Sequence, residues 1–149
     1  MIRFFGGRVM ALANGIETQD IEVWTEGSKI VFVGKPKAEE LDGKVFEREY
    51  DLKGNLLMPS FKNAHTHSAM TFLRSYADDM PLQDWLFKQI FPMEAKLDGE
   101  KVYSLTKLAI LEYLTTGCTA AFDMYFELDD YVKACTESGF RSVLCGAVC

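Results

Sequence analysis

The sequence predicts an α/β protein. A small β-sandwich-like domain over residues 1–58 leads into the first three strands of a (β/α)8 barrel of the TIM type over residues 59–149. Three observations predict it. Short β-prone runs and Gly-containing turns fill the first part, strand and helix patterns alternate after Pro59, and the chain's only two histidines, His65 and His67, close the first strand of that alternation.

The N-terminal elements follow from local pattern. IRFFGGRVMAL holds a Gly-Gly turn between apolar runs. DIEVWTEGSKIVFVG reads as a hairpin, with two runs rich in Val, Ile, Trp and Phe on either side of Glu26-Gly27-Ser28. KVFEREYDLKG alternates apolar and charged residues, as a half-buried strand does.

After Pro59 the pattern changes. SFKNAH is a short strand that runs into His65-Thr66-His67. Residues 68–84 read as a long loop, marked by Asp78-Asp79 and Pro81. LQDWLFKQIF has helical apolar spacing, and Pro92 is expected to interrupt it. A long helix is predicted for GEKVYSLTKLAILEYLTT, with Asp98 as N-cap and Gly117 just past its end. Its wide apolar coverage predicts packing against a sheet. TAAFDM is a strand ending in Asp123, LDDYVKACTESG a helix ending at Gly139, and RSVLCGAV a third strand. Strand, helix, strand, helix, strand implies a parallel sheet. Three parallel strands leave an open edge, so the reading is an incomplete barrel, completed by later strands or by association with another copy as a homo-oligomer.

Composition narrows the function. The chain has 149 residues, 48% hydrophobic and 26% charged, which fits a packed globular protein. Its formal net charge of −6 gives no general attraction for phosphate backbones, so nucleic acid is not an expected partner. No apolar run approaches the roughly 20 residues that span a bilayer, and the first residues lack a signal-peptide pattern, so a cytoplasmic location with no membrane partner is expected. Of four cysteines, Cys118, Cys135, Cys145 and Cys149, none forms a CxxC pair. They read as reduced and mostly buried. The spacing of Cys145 and Cys149 matches no standard zinc pattern, which weighs against a metal role.

His65 and His67 carry the chemistry. Side chains at i and i+2 of a strand point to one face, roughly 6.6–7 Å apart at Cα, close enough to converge on one cation. Asn63 is expected on that same face, with Ala64 and Thr66 on the other. The pair sits at the C-terminal end of a barrel-type strand, where such barrels place their active sites.

LLMPSFKNAHTHSAMTFLRSYADDMPLQDWL resembles the signature region of the amidohydrolase superfamily, in the branch that holds S-adenosylhomocysteine/5′-methylthioadenosine deaminases, guanine deaminase and triazine chlorohydrolases. The likeness continues through LAILEYLTTGCTAAFDMYF, and the YADDMPLQDWL stretch favours the adenosine-type deaminases. The resemblance implies a hydrolase of carbon–nitrogen bonds acting on a small purine-type substrate. Its cofactor would be one divalent metal ion, zinc first, with iron or nickel as alternatives, which lowers the pKa of a water molecule toward neutrality. His65 and His67 match the first two metal ligands. Trp85 matches an aromatic residue beside the substrate, and Glu94 an acid that binds ribose hydroxyls. Guanine deamination, triazine dechlorination and cyclic-amide cleavage remain alternatives on the same scaffold, and a non-catalytic self-associating fragment is a further one.

Each residue also has a plainer reading. Trp85 could anchor its helix in the core, Glu94 could be a solvated charge, and Asp123 could tie down a neighbouring loop. The remaining metal ligands and the catalytic acid and base of such enzymes lie on later strands, so no catalytic residue is expected within this chain, and the chain alone is expected to be inactive. An Arg common near the end of the third strand in adenosine-type relatives is replaced here by VLCGAVC.

Overall fold

The computed structural model describes residues 1–11 and 16–146, arranged as two compact units, Met1–Pro59 and Ser60–Cys149.

In the first unit, β1 (Ile2–Phe5), β4 (Glu22–Glu26), β5 (Lys29–Gly34) and β6 (Arg48–Asp51) form one sheet in the order β5-β4-β1-β6. β2 (Arg8–Ala11), β3 (Glu17–Gln19) and β7 (Leu56–Leu57) form another, in the order β3-β2-β7. A short helix, α1 (Ala38–Leu41), precedes β6. The predicted hairpin is present as the antiparallel pair β4–β5. The predicted Gly-Gly turn has a different use. It does not fold β1 back on β2; it passes the chain from one sheet to the other. Gly6 has φ +69°, and a Cβ there would meet the Asp51 carboxylate, while one at Gly7 would meet the Asn55 carbonyl. Only glycines allow this close passage.

Trp24, buried in this unit, stacks on Phe32 with ring centres 4.1 Å apart and meets Phe46 edge-on. Arg3 grips Glu22 through Nε and Nη2, both at 2.7 Å, and reaches Glu49 through Nη1 at 2.9 Å. β6 was expected to be half-buried, but it lies at the sheet edge with all four residues exposed.

The second unit is a parallel sheet in the order β10-β9-β8, built from β8 (Phe61–Thr66), β9 (Cys118–Tyr125) and β10 (Arg141–Gly146). α4 (Gly99–Thr115) connects β8 to β9, and α5 (Leu128–Ser138) connects β9 to β10. Asp98 caps α4 by accepting from the Lys101 N–H at 3.0 Å. Gly117 follows the helix at φ +82°, and its carbonyl accepts from Phe61 N–H, starting β8 beside β9. The core lies between sheet and helices, with Ala69, Val102, Ile110, Ala121, Tyr131 and Phe140 buried together. α4 buries a narrower face than its composition predicts, since Leu108, Leu111 and Leu114 are exposed.

Two further expectations are corrected. Residues 68–84 are not all loop: Ser68–Leu73 form a 3₁₀ helix and Leu82–Asp84 the first turn of a helix, α2. Pro92 does not end that helix. A π-helical stretch, Trp85–Ile90, widens it, with Phe91 N–H bonding to the Leu86 carbonyl five residues back, and α3 (Phe91–Glu94) carries Pro92 in its first turn. The helix is continuous across Pro92, and the π-helical shift in bonding just before it accommodates the missing N–H. Cys118 and Cys135 are buried, whereas Cys145 on β10 is exposed. Leu12, Ala147, Val148 and Cys149, which carried parts of the predicted strands and the second candidate thiol, lie outside the described residues. Among the described residues no helix is long and apolar enough to cross a membrane.

Candidate functional site

β8 delivers the histidines to the C-terminal end of the parallel sheet. His65 lies in the strand and His67 directly follows it. The ladder with β9 pairs Asn63 with Ala121 and Thr66 with Asp123, so β8 advances three residues while β9 advances two. The extra residue is a β-bulge at Ala64–His65, a device that re-aims side chains at the ends of strands. It corrects the simple alternation. Asn63 aligns with buried Ala121 rather than sharing a face with the histidines, and it contributes by accepting the His65 backbone N–H at 3.2 Å.

The two imidazoles meet edge to face, with ring centres 5.1 Å apart and planes at 83°. Two imidazoles sharing one tetrahedral zinc at bond lengths of about 2.0–2.1 Å place their ring centres about 5 Å apart, so the pair fits a shared cation. His67 Nδ1 lies 2.8 Å from the Met124 carbonyl oxygen. A carbonyl only accepts, which assigns the proton to Nδ1 and leaves Nε2 as the lone-pair nitrogen, the arrangement of a metal-ligating histidine held by a backbone partner. Among the described residues no third His, Cys, Asp or Glu joins a cluster able to hold a metal. The pair therefore offers two nitrogen donors, half of a four-coordinate shell.

His67 opens onto a cavity of about 410 Å³ whose lining includes Trp85, Glu94, Met124 and Tyr125. Trp85, at the start of the π-helical stretch, is half-buried and lines the cavity. Glu94 closes α3, and the hydroxyl of Tyr125 donates to its Oε1 at 2.9 Å. Burial raises the Glu94 carboxyl above its ordinary value, against the opposing pulls of that hydrogen bond and of His67. Burial, followed by the Glu94 charge and its hydrogen bond, pushes the Tyr125 phenol far up. His67, Trp85 and Glu94 thus border one cavity, and His65 joins them through its contact with His67. Asp123 is elsewhere: it is fully buried, and it receives the Ser68 N–H and the Tyr131 hydroxyl.

Sequence reading missed Tyr125. Tyr125 stands one residue past the predicted strand TAAFDM, and its contact with Glu94, 31 residues away, has no local signal. The Met124 carbonyl left no signal, since any residue supplies one.

A strand-borne His-x-His pair beside a mostly apolar cavity defines a candidate metal-dependent hydrolase site. The chain belongs to the amidohydrolase family, whose model matches residues 56–149. Among its relatives, a 5-methylthioadenosine/S-adenosylhomocysteine deaminase of Desulfitobacterium hafniense is 43% identical over 83% of this chain and 28% of its own length. A 5′-deoxyadenosine deaminase of Methanospirillum hungatei is 55% identical over 63% of this chain and 21% of its own. The crystal structure of an adenosine deaminase from Xanthomonas campestris with bound zinc superposes with a TM-score of 0.87 at 33% identity, over 95% of this chain and 33% of that one. An atrazine chlorohydrolase from Arthrobacter aurescens complexed with zinc superposes at 0.83 with 22% identity, a likeness of fold. The chain spans 21% to 35% of the length of these relatives.

Proposed function

We propose that this chain is the N-terminal part of a metal-dependent aminohydrolase that deaminates an adenosine-like purine substrate. Its three parallel strands begin a (β/α)8 barrel, and Met1–Pro59 contributes to a sandwich-like domain. The observation that carries the reading is the convergence of His67, Trp85 and Glu94 on one cavity, with the His65 ring beside His67. Its volume of about 410 Å³ falls within the roughly 300–1,000 Å³ of small-molecule sites.

His65 and His67 are the residues that would hold a divalent cation; two imidazole donors suit zinc, iron or nickel, and the zinc bound to the similar adenosine deaminase favours zinc. Once bound, the cation supplies Lewis acidity and makes water a competent nucleophile near neutral pH. The chain's own residues do the rest of what is present here. Trp85 offers an aromatic face for a purine ring. Glu94 offers two acceptor oxygens to a vicinal diol, and Tyr125 holds one of them in place. Met124 fixes the tautomer of His67. The general acid and base and the remaining ligands belong to further strands of the barrel, so the 149-residue chain by itself turns over no substrate. Phe122, Met124 and Val143, exposed on the sheet, suit coverage by those strands or by another copy of the chain. The adenosine-type names of the relatives at 43% and 55% identity favour this substrate class over guanine, triazines and cyclic amides.

The test is a panel of adenosine, 5′-deoxyadenosine, 5′-methylthioadenosine, S-adenosylhomocysteine, guanine and a chlorotriazine, scored for ammonia or chloride release by the full-length protein carrying this sequence. Metal-dependent ammonia release from the adenosine group is expected. Turnover confined to guanine or the triazine overturns the substrate reading, and full activity after metal removal overturns the mechanism.

A further inference from the structure

Behind the sheet, a chain of polar side chains surrounds the residues that flank His67, and none of them lines the cavity that His67 shares with Glu94. Asp123, fully buried on β9, accepts the Ser68 backbone N–H with both oxygens, at 3.3 and 3.2 Å, and the Tyr131 hydroxyl at 2.5 Å. Ser68 Oγ lies 2.9 Å from the Tyr113 hydroxyl and 3.4 Å from that of Tyr131. The Tyr113 hydroxyl lies 2.5 Å from Thr66 Oγ1. Thr66 and Ser68 are therefore both tied down on the helix side by Tyr113 of α4, Tyr131 of α5 and Asp123. The ring of His67, between them in sequence, is tied to the carbonyl of Met124, the residue after Asp123.

Packing alone does not require this arrangement. A buried carboxylate is costly unless its oxygens are hydrogen-bonded, and no ion pair reaches Asp123 among the described residues. Its donors are the backbone of the residue after His67 and a tyrosine from α5. The Tyr131 hydroxyl bond, at 2.5 Å, is as short as a carboxylate acceptor makes such bonds, whereas the Ser68 N–H is shared between the two oxygens at 3.3 and 3.2 Å; Tyr131 thus holds the carboxylate in the place where both of its oxygens face the Ser68 backbone. The bulge in β8 increases the need, because it removes ladder pairing at Ala64–His65, just where the histidines must be aimed.

We infer that Asp123 is a positioning residue for the metal site: with Tyr131 it locks the backbone at Ser68 and so sets the direction in which His67 presents Nε2 to the cation. The inference rests on His67 being a metal ligand, and the experiment separates the two. In the full-length protein carrying this sequence, the zinc dissociation constant is measured by competition with a chelating dye, and the thermal midpoint is measured on metal-free protein, for wild type, Asp123→Asn, Tyr131→Phe, His67→Ala and Val102→Ala. Asp123→Asn is expected to weaken zinc binding about 10- to 100-fold, the range found when a group supporting a metal ligand is removed. Tyr131→Phe, which deletes a single hydroxyl and keeps the ring in the core, is expected to weaken it by less. Val102→Ala, in the same core but outside the network, is expected to lower the metal-free midpoint and leave zinc affinity unchanged. If Asp123→Asn and Tyr131→Phe lower only the midpoint while His67→Ala loses zinc, Asp123 merely stabilises the fold and the inference is wrong. If His67→Ala binds zinc like wild type, the metal reading itself fails and takes the inference with it.

Discussion

Replacing Tyr125 by Phe isolates one hydrogen bond at the edge of the cavity. The ring is 3% exposed, and Phe preserves its packing, so the change removes only the hydroxyl that donates to Glu94 Oε1 at 2.9 Å. Hydrogen bonds to charged groups contribute about 1.5–3 kcal/mol. Glu94 is only half-buried, and solvent screening brings the expected loss to about 1–2 kcal/mol. Glu94 is proposed to bind a vicinal diol; because the bond is already made in the free protein, this figure sets the upper bound on the loss for a ligand that carries one, at most about 5- to 30-fold weaker binding. The assay is calorimetric binding to full-length protein of an adenosine-type inhibitor and of its 2′,3′-dideoxy counterpart. Tyr125→Phe and Glu94→Gln should each weaken the first and spare the second, and the double variant should lose less than the sum of the two. Equal losses for both ligands, or additive losses, would refute the reasoning, because the pair would then be shaping the cavity rather than presenting an acceptor to the diol.

Other outcomes follow from the same geometry. His65→Ala and His67→Ala should each reduce zinc affinity by more than about 100-fold, beyond the range expected of supporting residues, as read by chelator competition; retention of wild-type affinity by either would remove it from the ligand set. In the N-terminal unit, the Arg3 guanidinium holds Glu22 below the usual carboxylate range, ahead of the opposing effect of burial. A depressed folded value means that this stabilisation is complete above the ordinary value of 4.5 and is lost as pH falls through the lower, folded one. Glu22→Gln should therefore lower stability by about 1–3 kcal/mol at pH 7, with the difference narrowing in acid, in denaturant titrations followed by Trp24 fluorescence. Gly117→Ala should cost about 1–2 kcal/mol of stability, because φ is +82° and the nearest neighbour of the added methyl is at an ordinary 3.9 Å, so the cost is conformational; an unchanged urea midpoint would contradict it.

Elements whose signals are local were legible in the sequence. Asp98 and Gly117 bound α4 because an N-cap oxygen and a left-handed glycine act within a few residues of where they stand. The β4–β5 hairpin was legible for the same reason. The Gly6-Gly7 turn was visible as a turn, but not as a passage between sheets, since its partners Asp51 and Asn55 lie more than 40 residues on. Pro92 misled because a single-residue rule sees a missing N–H and cannot see that a π-helical stretch has already shifted the bonding.

At the site the division is similar. Residue types and spacing on one chain segment determined that His65 and His67 form a pair at the end of a strand, and the resemblance to the amidohydrolases pointed to Trp85 and Glu94. Tertiary structure decided that a bulge aims the histidines, that Tyr125 reaches back 31 residues to hold Glu94, and that Asp123 reaches back 55 to hold the backbone after His67. A motif records chemistry within a few residues of itself. The register of β8 on β9 and the depth at which Asp123 is buried arise only when segments far apart in sequence are brought into one sheet and covered by its helices.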